Sequence, residues 1–180
     1  MTAYVALLRG INVLGSGKLP MTDLKAMCEK AGFQSVRTYI ASGNVVFKST
    51  KSEARVKAAL EDAVRDYSGK SVAVMVRTAL EMAAVLAGNP FPEMPGSFTF
   101  AFFLNESPSS DALNRVTNLT IEQLQLGQRE IYAYYPNGMG QSRLSIYACK
   151  NATARNMNTI AKLAAMAAEL QRGPVSSERK

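Results

Sequence analysis

Hydrophobic positions along the chain change their period in a regular order. Tyr4–Leu8 is a continuous apolar run closed by Arg9, which predicts a short buried strand over residues 4–9. A Gly-rich loop follows, Gly10–Lys18. Pro20 then suits a helix start, Leu24, Met27, Cys28 and Ala31 form a stripe at helical spacing, and Gly32 suits the helix end. Val36, Thr38 and Ile40 alternate, predicting a strand over residues 35–40, and Ser42-Gly43-Asn44 predicts a turn into a second strand over 45–48. Thr50 and Glu53 have capping-box spacing ahead of a helix with Val56, Leu60, Ala63, Val64 and Tyr67 on one face and Gly69 at its end. Its acidic positions, Glu61, Asp62 and Asp66, read as a solvated face. Ser71–Arg77 is nearly all apolar, as a central strand would be. The first half therefore reads β-α-β-β-α-β, the order of a ferredoxin-like unit.

The second half is less regular. Thr78 and Glu81 repeat the capping-box spacing and open a short helix ending at Gly88. Asn89-Pro90-Phe91-Pro92 and Pro95-Gly96 predict a linker. Phe98–Leu104 is a strongly apolar strand, Ser107-Pro108 suggests a helix running to Val116, and strands over 121–126 and 129–135 flank a Gly127-Gln128 hairpin loop. Asn137-Gly138 predicts a turn, residues 142–150 a helix, and Thr153 the start of a last helix with Met157, Ile160, Leu163, Ala164, Ala167 and Leu170 on one face. The expected fold class is α+β, with two ferredoxin-like (β-α-β-β-α) subdomains packed together. Their expected bounds are 1–88 and 98–172, with a linker over 89–97 and a flexible tail over 173–180.

Composition removes whole classes of chemistry. The 180 residues include no His, so there is no Ser-His-Asp triad, Cys-His pair, imidazole base or His-ligated zinc. Cys28 and Cys149 form no CxxC, and Cys28 lies on a helical apolar stripe, so it reads as a packed core thiol. No metal site and no cofactor are expected. The first apolar run is too short for a signal segment or a membrane span, and the expected location is cytoplasmic. The Asn-x-Ser/Thr triplets at Asn105, Asn118 and Asn151 are then chance matches.

The net charge of +7 is uneven. Residues 1–51 carry +5, residues 52–139 carry −3 and residues 140–180 carry +5. Basic ends suggest an anionic partner, although lysines kept for solubility produce the same count. The Gly10–Lys18 loop sits between strand and helix, where phosphate loops occur. It fails as a Walker A loop, because Asn12 and Leu19 stand at the required Gly and Ser/Thr positions. It also fails as GxGxxG, because Pro20 follows. What remains is a set of backbone N–H groups beside Arg9, Asn12 and Lys18, an arrangement that fits an anion and equally fits a plain connection. Tyr4 and the Ser42–Phe47 stretch do not complete an RNA-recognition motif, and no Gly pair has the spacing of a KH clamp. Arg155, Asn156, Asn158 and Thr159 crowd polar groups before the last helix, which suits either a phosphate or simple capping. Residues 9–18, 36–50 and 136–160 contain no Asp or Glu, which disfavours paired-carboxylate catalysis there.

Several of these segments occur together in one family. They are Arg9-Gly-Ile-Asn-Val13, Tyr39–Phe47, Asn89-Pro-Phe91, Arg129–Tyr132 with Tyr135-Pro136, and Thr153–Asn156 with Asn158-Thr159. On these residues the chain resembles the bacterial domain-of-unknown-function family numbered 1697, over residues 2–170. The resemblance implies an α+β fold of two ferredoxin-like subdomains and carries no catalytic residues. Leu14 stands where the family usually has a second Gly, and Met157 where it usually has Trp.

The leading expectation is a binding module for a phosphate-bearing small molecule or nucleic acid. Arg9, Lys18 and Arg155 would neutralise phosphate, while Asn12, Ser42, Asn44, Asn156 and Asn158 would orient the ligand. The alternatives are an enzyme acting on a small anionic metabolite in a closed pocket with a tyrosine such as Tyr135, and a homo-oligomeric interaction protein. The apolar Phe98–Phe103 strand would be the pairing edge of the latter, if it is not core.

Overall fold

The first six elements follow the order read from the periodicity. A computed structural model describes residues 1–12 and 18–173. It is a mixed α/β chain with antiparallel sheets and, among the described residues, four α-helices. Residues 13–17, which include Leu14, and residues 174–180, most of the expected tail, lie outside the described residues.

The chain divides into two compact units. One comprises residues 1–82 with the chain from Leu163 onward, and the other is Ala83–Lys162. In the first, β1 (Thr2–Leu8), α1 (Met21–Lys30), β2 (Gln34–Tyr39), β3 (Asn44–Ser49), α2 (Glu53–Ser68) and β4 (Val74–Thr78) build a sheet of order β2-β3-β1-β4. Every pairing is antiparallel, with Val5 opposite both Val46 and Arg77. Alternate strand residues Tyr4, Ala6, Leu8, Val45, Phe47, Val74 and Val76 join Leu24, Cys28, Val56, Leu60 and Val64 of the helices in one core. Each such large side chain contributes about 1.5–3 kcal/mol on burial. Phe33 stacks on Phe47 with ring centroids 4.3 Å apart.

The other sheet face is also buried, through Ala3, Val5, Leu7, Val46, Met75 and Arg77. On this unit the end of α4 (Met157–Arg172) is held at two points. Ala3 N donates to Gln171 Oε1 at 2.7 Å, and Arg37 pairs with Glu169 at 3.1 Å.

Local details correct several expectations. The strand expected over 35–40 lies one residue earlier, at Gln34–Tyr39, is bulged between Gln34 and Arg37, and leaves Ile40 beyond it at φ 49° and half exposed. The Thr50–Glu53 capping box is not formed, because α2 begins at Glu53 behind Ser52, which makes no side-chain cap bond. The Thr78–Glu81 box is formed. Thr78 N donates to Glu81 Oε2 at 2.7 Å and Glu81 N donates to Thr78 Oγ1 at 3.2 Å, opening α3 (Ala79–Ala87).

In the second unit, β5 (Thr99–Phe103), β7 (Gln123–Leu126), β8 (Glu130–Tyr134) and β10 (Thr153–Asn156) form a sheet of order β10-β5-β8-β7. The short β6 (Val116–Thr117) and β9 (Ser145–Ile146) pair separately. The helix expected from Ser107-Pro108 is absent. Single bonds from Ala112 N to Ser109 O (3.0 Å) and Asn114 N to Asp111 O (2.9 Å) make turns instead. The helix expected over 142–150 is also absent, and only a 3-10 turn, Tyr147–Cys149, follows β9. Thr153 starts a strand, not a helix, and α4 begins at Met157. The apolar Thr99–Phe103 strand is paired on both sides and is not an edge. The Gly127 hairpin does form. Its loop N–H groups at Gln128 and Arg129 donate to the buried Glu130 carboxylate at 3.0 and 3.1 Å, and a Cβ on Gly127 would overlap that carboxylate and the Tyr132 ring.

Candidate functional site

The order β2-β3-β1-β4 sets the end of β1 beside the start of β4, because neighbouring antiparallel strands exchange ends. The backbone leaving β1 is fixed on both sides. Leu8 N donates to Gly43 O and Arg9 N to Ala73 O, each at 2.9 Å. Asn12, at φ 56°, sits in the left-handed region that Asn tolerates. Its carboxamide donates to Leu19 O (2.9 Å) and Ala41 O (2.7 Å) and accepts from Leu19 N (2.7 Å). Asn44, fully buried, donates to Tyr39 O and to Ser42 Oγ, both at 2.9 Å. Asn12, Ser42 and Asn44 thus hold three chain segments together, and Arg9 and Lys18 stand exposed beside them.

A cleft of about 370 Å3 opens at this end of the unit. Arg9, Lys18 and Lys70 supply its charge, and among the described residues no carboxylate lines it. Ile11, Leu19, Val64 and Val72 supply apolar wall, and Ser68 and Ser71 supply hydroxyls. Lys18 and Lys70 make no ion pair among the described residues. Ser68 is partly committed, donating to Val64 O at 2.8 Å and accepting from Lys70 N at 3.2 Å. Tyr67 borders the cleft and donates its hydroxyl to Asp23 Oδ2 at 2.8 Å. That bond to a carboxylate raises the pKa of the phenol. Three cations gathered next to apolar wall suit a ligand with one anionic end and one apolar end.

The sequence reading placed Arg9 and Lys18 here and missed Lys70, Ser71 and Tyr67. From the sequence, Gly69 is legible only as a helix stop. The β-α-β-β-α-β order itself was the usable signal, since it brings the chain entering the fourth strand to the chain leaving the first.

Arg155, Asn156 and Asn158 belong to the second unit and do not line this cleft. Arg155 is 8% exposed and donates to Thr153 Oγ1 (2.7 Å) and Ala154 O (2.8 Å). Burial lowers its pKa to about 10, so it stays charged at neutral pH. Asn156 Oδ1 accepts Thr159 N at 2.9 Å in the first turn of α4, and the Asn158 carboxamide lies where a Cβ on Gly96 would be. Tyr135 lines a different cavity, within the second unit. Among the described residues no group of three His, Cys, Asp or Glu is placed to hold a metal ion. No helix among them is long and apolar enough to cross a membrane.

No curated protein matches the chain. It is similar in fold to a solved structure, the conserved bacterial protein SP0830 from Streptococcus pneumoniae. The TM-score is 0.76 at 24% identity, covering 94% of this chain and 99% of that one. The family model described as "Protein of unknown function (DUF1697)" matches residues 1–132. That span includes the Arg9–Val13, Tyr39–Phe47 and Arg129–Tyr132 segments on which the resemblance rests, and the chain belongs to the DUF1697 family.

Proposed function

We propose that the first unit binds a small phosphate-bearing ligand in the Arg9–Lys18–Lys70 cleft. The observation that carries this reading is the gathering of three cations from separate chain segments around a concave wall that has no carboxylate among the described residues. Arg9 and Lys18 contact the phosphate, as does Lys70. Asn12, Ser42 and Asn44 act one step back, by holding the loops, and Arg155, Asn156 and Asn158 serve the junction between β10 and α4. A concave cleft of this size favours a small molecule over the open basic surface that nucleic acid needs. The protein is in this reading cytoplasmic and basic in function as well as in composition. Its two units are both ferredoxin-like in plan, the second having irregular turns in place of two helices.

The test is calorimetric titration with phenyl phosphate, inorganic phosphate and a labelled single-stranded RNA at several salt concentrations. Phenyl phosphate should bind more tightly than inorganic phosphate because the apolar wall takes the ring. Lys18→Ala and Lys70→Ala should each weaken it about tenfold, the worth of one charge-assisted hydrogen bond. Absence of phosphate binding at low salt, or indifference to both substitutions, removes the reading. Steeply salt-dependent RNA binding without phenyl phosphate binding replaces it with the nucleic-acid reading.

A further inference from the structure

A second cavity, of about 340 Å3, lies wholly within the second unit and plays no part in the cleft described above. Its wall includes Tyr135, Glu122, Arg143, Asn137, Gln141 and Ser142. Glu122 is fixed in place. Its Oε2 accepts Thr120 N (2.9 Å), Thr120 Oγ1 (3.0 Å) and Ile121 N (3.1 Å), and its Oε1 accepts the Ser142 hydroxyl in a very short bond. These donors push the carboxyl down to about 2, the Ser142 hydroxyl most of all, so it is ionised throughout the physiological range. Oε1 keeps lone-pair capacity for one more donor.

Arg143 is exposed, and its guanidinium forms no ion pair or hydrogen bond among the described residues. Tyr135 is 3% exposed, with its ring packed edge-on against Phe100 at 5.7 Å. Its hydroxyl makes no hydrogen bond to protein, yet no fully enclosed side-chain polar atom among the described residues lacks a partner. The hydroxyl therefore opens onto the cavity that the residue lines. Burial first, with Cys149 and Glu122 adding to it, pushes this phenol up to about 12, which keeps it a donor. The wall thus presents one fixed negative charge, one unsatisfied positive charge, one waiting hydroxyl and neutral carboxamides.

We propose that this cavity binds a small zwitterion of the α-amino-acid type. Its ammonium donates to Glu122 Oε1, and its carboxylate accepts from the Arg143 guanidinium and the Tyr135 hydroxyl. The volume is at the lower end of the range for small-ligand sites, which suits a molecule of this size.

The experiment is amide NMR titration of the full chain with free L-amino acids, their N-acetyl forms, their carboxamide forms, and glucose. At least one free amino acid should shift the amides of Asn137, Ser142 and Arg143 at up to about 10 mM, an affinity in reach of two charge-assisted contacts. Blocking either its ammonium or its carboxylate should weaken binding at least about tenfold, as should Arg143→Gln, and Tyr135→Phe should weaken it severalfold. Arg143 is exposed, so Arg143→Gln leaves the fold intact and remains decisive even if Glu122→Gln unravels its turn. The proposal fails if no free amino acid moves these amides, if blocked and free forms bind equally, or if glucose binds in preference.

Discussion

Asn12 and Leu19 clasp each other through both polar ends of one carboxamide. The side chain takes the Leu19 N–H at 2.7 Å and gives its own N–H to the Leu19 carbonyl at 2.9 Å. The same nitrogen also reaches Ala41 O at 2.7 Å. Asn12→Ala removes three hydrogen bonds and places a Cβ residue with less tolerance at φ 56°. A loss of about 2–3 kcal/mol is expected in urea unfolding. Asn12→Gly relieves the backbone but not the bonds, so it should recover only the smaller part of that loss. Full recovery by glycine would show that the bonds contribute little.

Gly43 meets the core at the same end of the sheet. At φ 79°, a Cβ there would lie 3.0 Å from Leu8 Cβ and 3.3 Å from Ile11 Cβ. Neither neighbour is the flexible end of a side chain. Gly43→Ala should destabilise by about 2–4 kcal/mol, from backbone strain and overpacking together. Thermal and urea unfolding measure it, and a neutral substitution would contradict the packing described.

Burial pushes both thiols, Cys28 and Cys149, up to about 12. In the folded state each stays neutral at pH values where the unfolded chain ionises. Their contribution to stability is therefore whole below pH 9 and declines as pH rises from 9.0 towards 12. For Cys28 the slope is about 1.4 kcal/mol per pH unit in that window. A disulfide reagent at pH 8 should label neither thiol in the native protein and both in denaturant. Rapid native labelling of Cys28 would overturn the burial argument.

Arg155 separates a structural role from a binding one. Arg155→Ala leaves the Thr153 hydroxyl and the Ala154 carbonyl short of a donor in a buried strand. A loss of about 3 kcal/mol is expected, with phenyl phosphate affinity in the Arg9 cleft changed less than about twofold. The reverse pattern, stability kept and affinity lost, would return Arg155 to the ligand.

The residues that spelled out the first unit are those whose burial and polarity agree. Ala6, Leu8, Val45, Phe47, Val74 and Val76 are apolar and buried on one face, so their period was readable. Strand β10 was not readable because its buried positions are Thr153 and Arg155, which carry no apolar period. The two missing helices fail for a related reason. Ser109, Asp111 and Ser142 use their side chains on local partners, as in Ser109 Oγ to Asp111 Oδ1 at 2.5 Å and Leu144 N to Ser142 Oγ at 3.1 Å. Cleft residues on the first loop were legible from charge and glycine. Lys70 was not, since only the strand order brings it to Arg9.

The unit boundaries fall inside α3 and α4, so Ala83–Lys162 is inserted between two stretches of the first unit. This has a consequence for the order of events at the ribosome. The Ala3 amide of the first strand waits for Gln171, 168 residues later. Leu163, Ala167 and Leu170, which are buried, also emerge after the whole of Ala83–Lys162. The unit begun first is thus completed only after the second unit has been made, and until then its finished four-stranded sheet lacks the α4 partners of Ala3 and Arg37.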